Sequence, residues 1–373
     1  VSKIRVTVLF GGQSSEHEVS RISAQCVLEN IDRNRFEIQT IGITKKGEWL
    51  KYEGDISLIG SGQWEEAARR QLRERKITGL LSPDIENIPT LRTLINSDKD
   101  IANETVDVVF PVLHGPNGED GSVQGLLQLA DVPYVGCNIL ASAAGMDKAF
   151  SKLVFANAGI PQAEYMVVMR SEIEEKIDDI LNKVTEKLGW PCFVKPANAG
   201  SSVGVSKVKK PDDLMPALQY AAKYDNKILI EEFINGIEVE CAVLGNDDPI
   251  ASTVGEIIPS NEFYDYNAKY IDGKSATIIP AHIDPDIMEQ VREYAVRAFK
   301  ALGCSGLSRV DFFVEGSGRV VLNEINTMPG FTDISMYSKL WEASGIPYAE
   351  LITRLIKLAL ESYRQRTRSY ERK

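Results

Sequence analysis

Two acids, an amide and a guanidinium fall at alternating positions in the stretch "RVDFF…VVLNEIN" of this 373-residue chain. Side chains alternate along a strand, so Arg309, Asp311 and Phe313 share one face. Leu322, Glu324 and Asn326 share one face of the following strand. A tight turn at "EGSGR" sets Asp311 opposite Glu324 and Arg309 opposite Asn326. Carboxylates this close repel one another unless a cation joins them, and all-oxygen ligands suit a hard ion such as Mg²⁺ shared with phosphate groups. The alternative is a solvated face laced with salt bridges, which Arg309 would support. The surrounding Val, Phe, Leu and Ile residues instead imply a sheet whose other side is buried.

A second candidate is "KPANAGSSVGVSKV", residues 195–208. Two β-favouring segments flank a loop of small residues whose backbone N–H groups could wrap phosphate oxygens as a nest does, with Lys195 adding charge. Taken alone it reads equally as a plain hairpin loop. A third is "GGQSSEHEVS", residues 11–20, a glycine turn between an apolar strand and a helix. Phosphate sites favour such turns, yet this one is followed by two acids. If Ser15 caps the helix, Glu18 falls at the third helical position and completes a capping box, leaving Glu16 free.

Better-known motifs fail. "DGKS" at 272–275 resembles the end of a P-loop, but Ala268 stands where its first glycine belongs, and the following "ATIIPA" reads as strand. "HEVSR" puts Arg21 where a zinc protease has its second histidine, and no GxGxxG follows a strand. With 42 Lys and Arg against 53 Asp and Glu, the net charge of −11 disfavours non-specific nucleic-acid or anionic-membrane binding. No apolar run reaches the ~18 residues of a membrane span, and the N-terminus lacks signal-peptide layout. Five scattered cysteines without a CxxC read as reduced core thiols, so the expected compartment is the cytoplasm.

The elements that must position these groups alternate along the chain. "IRVTVLF", "EVSRISAQCVLENI" and "FEIQTIGIT" read strand, helix, strand. "VDVVFPVL" then meets the second glycine turn, "HGPNGEDG", and the helix "SVQGLLQLA". Such alternation implies a parallel sheet with helices on both faces, whose ligands bind beyond the carboxyl ends of the strands. Both turns sit at such ends and are expected to line one crevice. Residues 52–104 are polar and weakly periodic, and read as an insertion or peripheral subdomain. "MDKAFSKLVFANAG" reads as a helix stopped at Gly159. Strands and helices continue to the end of the chain.

Taken in order, "GGQSSEHEVS", "VLHGPNGEDGSVQGLL", "MDKAFSK", "VKPANAGSSVGVSKV", "EFYDYNAKY", "RVDFF" and "LNEINTMPGFT" resemble the ATP-grasp superfamily, and within it the D-alanine–D-alanine ligase family. The resemblance covers nearly the whole chain. It implies an α/β fold with α+β character in the ATP-grasp part, in three domains. Residues 1–140 would form a Rossmann-like parallel-sheet domain, 141–236 the central domain, and 237–373 the C-terminal domain with a lid loop. The implied reaction consumes ATP to join two D-Ala through a D-alanyl phosphate, for peptidoglycan precursor synthesis.

The resemblance also assigns roles. Glu16 would meet the ammonium of the first D-Ala, with His114 nearby. Lys148, Lys195 and the loop of Ser201, Ser202 and Val203 would bind phosphates. Glu231 would accept from adenine N6, Glu238 from the ribose, and the backbone of Glu232, Phe233 and Ile234 would contact the ring. Asp311, Glu324 and Asn326 would hold two Mg²⁺, with Mn²⁺ as a substitute. Arg309 and the Gly330 N–H would stabilise the acyl phosphate and oxyanion. Ser335 and Met336 would take the second substrate, and Tyr264 and Lys269 the nucleotide. Residues 262–281 would close over the site, Tyr270 joining Glu16 and Ser201. A homodimer is expected. The competing readings are a D-alanine–D-lactate ligase, for which Phe in place of Tyr270 would argue, and a non-catalytic nucleotide-binding module. The latter should lack some of Lys148, Lys195, Arg309, Asp311, Glu324 and Asn326, and all six are present.

Overall fold

The computed structural model describes residues 2–74, 106–258 and 276–366. Three sheets organise them. The first is built from β1 (Ile4–Gly11), α1 (His17–Asn30), β2 (Phe36–Ile43), β3 (Trp49–Tyr52), α2 (Ser57–Ser61), α3 (Trp64–Glu74), β4 (Val108–Pro111) and α4 (Ser122–Leu129). Its strand order is β3-β2-β1-β4, with β2, β1 and β4 parallel and β3 antiparallel at the edge. The centre of β1 is buried on both faces, as a parallel strand covered by helices must be. Val6, Val8 and Phe10 pack with α1, while Leu9 packs with Val123 and Leu127 of α4.

The described start of segment 52–104 is anchored in the first core: Trp64 of α3 is 1% exposed and packs edge-on against Phe10, ring centroids 4.8 Å apart. Gly42 leaves the room that the indole fills. The polar character of α3 belongs to its outer face, and its buried face is Trp64 with Ala67 and Ala68. Residues 75–104 lie outside the described residues.

The chain continues through α5 (Ile139–Met146) and α6 (Lys148–Asn157) into a second unit. This comprises β5 (Tyr165–Met169), α7 (Ile177–Lys187), β6 (Cys192–Pro196), β7 (Ser206–Val208), α8 (Leu214–Ala221) and β8 (Lys227–Glu232). Helix α6 starts where read, because the Asp147 side chain accepts from the N–H groups of Ala149 and Phe150. It ends at Asn157, and Gly159 just beyond it turns the chain with a φ of +67°. The sheet is antiparallel in order β5-β8-β6-β7.

The third unit holds β9 (Gly236–Gly245), β10 (Ile250–Ile258), β11 (Ala276–Ile278), α9 (Pro285–Leu302), β12 (Gly306–Glu315), β13 (Val320–Asn326), α10 (Met336–Ala343) and α11 (Tyr348–Gln365). Its sheet, β11-β10-β9-β12-β13, is antiparallel throughout. Helix α9 covers the face bearing Val310, Phe312 and Ile325. Helices α10 and α11 instead join the core of the first sheet, so the first and third units share apolar packing. All five cysteines are buried and unbridged. Among the described residues no helix is long and apolar enough to cross a membrane.

Candidate active site

The two acids and their partners meet as their spacing implies. Strands β12 and β13 pair Arg309 with Asn326 and Asp311 with Glu324. Beyond that pair the register slips, and Phe312 faces Leu322, leaving Asn323 as the extra residue of a bulge. The even alternation expected from Leu322 through Asn326 is therefore broken. Leu322 is buried and packs with Phe312 in the core, yet it lines the cleft together with Asn323 and Glu324. The face also extends one strand further than read: β9 sets Glu240 beside Asp311 and Glu238 beside Phe313.

The Arg309 guanidinium grips Asp311 through two bonds of 2.8 and 2.7 Å and lies 3.0 Å from Glu240. Asn326 donates to Asp311 at 3.0 Å, and Lys148 stands 3.3 Å from Glu324. The protein's own cations thus balance these acids. Two carboxylates and an amide oxygen, with no histidine or thiol, form a hard oxygen donor set that fits a divalent ion of the Mg²⁺ class. No group of three or more His, Cys, Asp and Glu that could hold a metal gathers among the described residues.

A cleft of about 400 Å³ opens between the second and third sheets. Lys148, Lys195, Ser201, Ser202, Glu231, Glu232, Phe233, Ile234, Glu238 and Glu324 all line it. Lys148 begins α6 and donates to the Ala199 carbonyl at 2.8 Å, tying the helix start to the glycine loop. In that loop Ser201 and Ser202 hold φ of +50° and +58°, with Gly204 at +77°. Such left-handed residues between β6 and β7 turn the backbone back on itself, as an anion nest requires. Val203 donates its N–H to Gly200 and closes the tip of the turn. On the far wall the Phe193 and Phe233 rings lie 6.2 Å apart, with the Lys207 ammonium 4.3 Å from the Phe233 centroid.

A smaller cavity adjoins the first, lined by Glu16, His114, Glu119, Ser201, Arg309, Glu324, Asn326, Gly330, Ser335 and Met336. Both glycine turns feed it, as their strand-end positions implied. Glu16 is only 6% exposed, and the Ser201 hydroxyl donates to its Oε1. The capping-box reading is overturned. Glu16 itself is the N-cap of α1, its N–H bonds the Ser14 hydroxyl at 3.1 Å, and Glu18 instead pairs with Lys45 at 2.5 Å. Lys45 lies just past β2, so only the tertiary fold offers Glu18 this partner. Ser335 accepts from the Thr332 N–H at 3.0 Å, and a Cβ on Gly330 would meet its hydroxyl at 2.8 Å.

His114 is buried, and both ring nitrogens are used. Nδ1 donates to the Met328 carbonyl at 3.1 Å, and Nε2 accepts from the Ser23 hydroxyl at 3.2 Å. Burial pushes its pKa down to about 4. It therefore stays neutral and buttresses the Met328–Phe331 turn, with its ring facing the cavity. Glu119 was not singled out in the sequence. Burial and the nearby Glu16 charge push its carboxyl well above the usual range, against the pull of the Gly115 N–H it accepts at 2.7 Å. Glu240 and Lys152 were missed as well. The signal for Glu240 was an acid two residues after Glu238 in an otherwise apolar strand. Tyr264, Lys269, Tyr270 and most of loop 262–281 lie outside the described residues.

Residues 5–137 match the family described as D-ala D-ala ligase N-terminus, and residues 154–357 that described as D-ala D-ala ligase C-terminus. The D-alanine--D-alanine ligase of Acetivibrio thermocellus is 58% identical over 99% of both chains. That of Ruminiclostridium cellulolyticum is 54% identical over the same shares. Among solved structures, the D-alanine-D-alanine ligase from Coxiella burnetii superposes with a TM-score of 0.80 at 34% identity, covering 98% of this chain and 96% of that one. The VanG D-Ala:D-Ser ligase from Enterococcus faecalis gives 0.79 at 38% identity, over 96% and 100%. With both halves matched and identity above one half along its length, this chain belongs to the D-alanine–D-alanine ligase family.

Proposed function

We propose that the chain joins two D-alanines at the expense of ATP, giving D-alanyl-D-alanine, ADP and phosphate for peptidoglycan precursor synthesis. One observation carries this reading: the large cleft and the small cavity meet at Ser201 and Glu324, which line both. A terminal phosphate in the first and an amino-acid carboxylate in the second would therefore come together beside Arg309. Units near residues 1–140, 141–236 and 237–373 would each supply one wall.

In this reading Glu16 holds the ammonium of the first D-Ala, and its bond to Ser201 couples substrate to phosphate loop. Lys148 and Lys195 take the nucleotide phosphates. The first D-Ala carboxylate attacks the γ-phosphorus and releases ADP. Arg309 and the Gly330 N–H face the charge that develops on the acyl phosphate and then on the tetrahedral adduct, where such donors matter most. The second D-Ala, held near Ser335 and Met336, attacks through its amine and expels phosphate. Asp311, Glu324 and Asn326 would hold two Mg²⁺, which when bound screen the phosphate charge. Closure by residues 262–281 would exclude water from the acyl phosphate. We further propose a cytoplasmic homodimer.

The test is coupled ADP release with D-Ala alone, D-Ala plus D-lactate, D-Ala plus D-Ser, and L-Ala. D-Ala alone should support full turnover and L-Ala none. Turnover only with an added second compound would favour a mixed ligase. The fit to a D-Ala:D-Ser ligase structure makes D-Ser the alternative of first interest.

A further inference from the structure

Lys152 stands four residues after Lys148 on the same face of α6, yet it reaches a different part of the cleft wall. It is 2% exposed, so its ammonium is enclosed by protein. Its Nζ lies 2.9 Å from Glu231 Oε1 and 5.3 Å from the ring centroid of Tyr165, the residue paired with Glu231 across β5 and β8. The other Glu231 oxygen is taken by Lys195. One carboxylate thus holds two lysines, and Glu231 opens onto the cleft. Burying a second ammonium is costly unless something needs it. Lys195 lines the cleft and also stands 3.5 Å from Asn323, so it is placed to leave Glu231 for a phosphate. Among the described residues Lys152 has no such second destination in the cleft.

Building on the reading of this cleft as the ATP site, we propose that Lys152 is a positioning residue. It stays with Glu231 when Lys195 turns to the phosphates, and holds that carboxylate as an acceptor for the 6-amino group of adenine. Lys152 thereby sets the preference for a 6-amino over a 6-oxo purine. An ionised carboxylate only accepts, whereas a protonated one can donate to a 6-oxo group. Burial alone would raise the Glu231 carboxyl, and Lys152 followed by Lys195 outweighs it and holds it below the usual range.

The experiment compares ATP and ITP as phosphoryl donors in the full chain, with saturating D-Ala. Lys152→Met should raise KM for ATP about tenfold or more, leave kcat within about threefold, and lower the ATP-to-ITP ratio of kcat/KM about tenfold. The double variant Lys152→Met/Glu231→Gln removes both charges and keeps the test open if the single variant does not fold. Its KM for ATP should lie within about threefold of Glu231→Gln alone, because Lys152 acts through Glu231. A folded Lys152→Met enzyme with unchanged KM and unchanged base ratio overturns the proposal. So does a double variant about tenfold worse than Glu231→Gln. A wild-type chain that released no ADP with D-Ala would instead reject the underlying ligase reading, and this proposal with it.

Discussion

The bond between Ser201 and Glu16 joins the phosphate loop to the first-substrate cavity, and removing it tests whether the two cavities act as one site. Ser201→Ala deletes the donor while keeping the Cβ and the left-handed backbone, φ +50°. Its acceptor is a carboxylate only 6% exposed, so water replaces the hydroxyl poorly. A hydrogen bond to a charged group contributes about 1.5–3 kcal/mol, which corresponds to roughly a 10- to 150-fold loss of kcat/KM. The loss should appear with both D-Ala and ATP as the varied substrate, because the loop and Glu16 are coupled. Ser201→Gly loses the same hydroxyl but relieves the left-handed strain of a residue bearing a Cβ, by about 1 kcal/mol. It should be at least as impaired kinetically yet more stable than Ser201→Ala. The assay is initial-rate ADP release with each substrate varied, alongside urea denaturation. Wild-type kcat/KM for both substrates in Ser201→Ala, or a Ser201→Gly protein less stable than Ser201→Ala, would refute the reasoning.

Glu324→Gln should retain the fold by circular dichroism but lose turnover by about two orders of magnitude or more, since an amide cannot supply the charge that phosphoryl transfer needs at that position; a wild-type rate at saturating divalent ion would remove Glu324 from the site. Glu16→Gln should impair use of D-Ala strongly, whereas Glu18→Gln removes only an exposed pair with Lys45 worth about 0–1 kcal/mol, and comparable kinetic losses in the two would contradict the geometry. His114 has a folded pKa of about 4 against an unfolded value of 6.5, so the unfolded chain takes up the proton first. Stability should therefore fall by about 3 kcal/mol as pH drops from 6.5 to 4 and stop falling from this source below that; denaturation across that range should show His114→Asn lacking this component. Gly42→Ala should cost about 1–3 kcal/mol because its Cβ would run into the Trp64 indole, and an unchanged denaturation midpoint would mean that α3 does not pack there.

Much of the site was legible because its residues sit on regular elements or next to them. The pairing of Asp311 with Glu324 followed from strand periodicity and a short turn, and both are local properties. The convergence of the two glycine turns followed from their places at neighbouring strand ends. The bulge at Asn323 was not legible, since an extra residue leaves no mark in an apolar–polar pattern that continues on either side of it. The cap of α1 was misread for a related reason. Ser15 and Glu18 satisfy a local pattern, but the distant Lys45 offers Glu18 a better partner.

By itself the sequence determined the elements, the order of the motifs and the chemical character of each, including which strand face carries carboxylates. These depend on residues close in the chain, where periodicity and turn chemistry act directly. Tertiary structure alone decided which charges compensate one another. Glu240 beside Arg309 and Lys152 beneath Glu231 are partnerships between separate elements, whereas Glu119 near Glu16 is a like-charge encounter that, on top of burial, raises its carboxyl. Their strength comes from burial, which removes competing water and is not encoded at any one position. The same burial holds His114 neutral, so that it serves the cavity wall as a hydrogen-bonded strut.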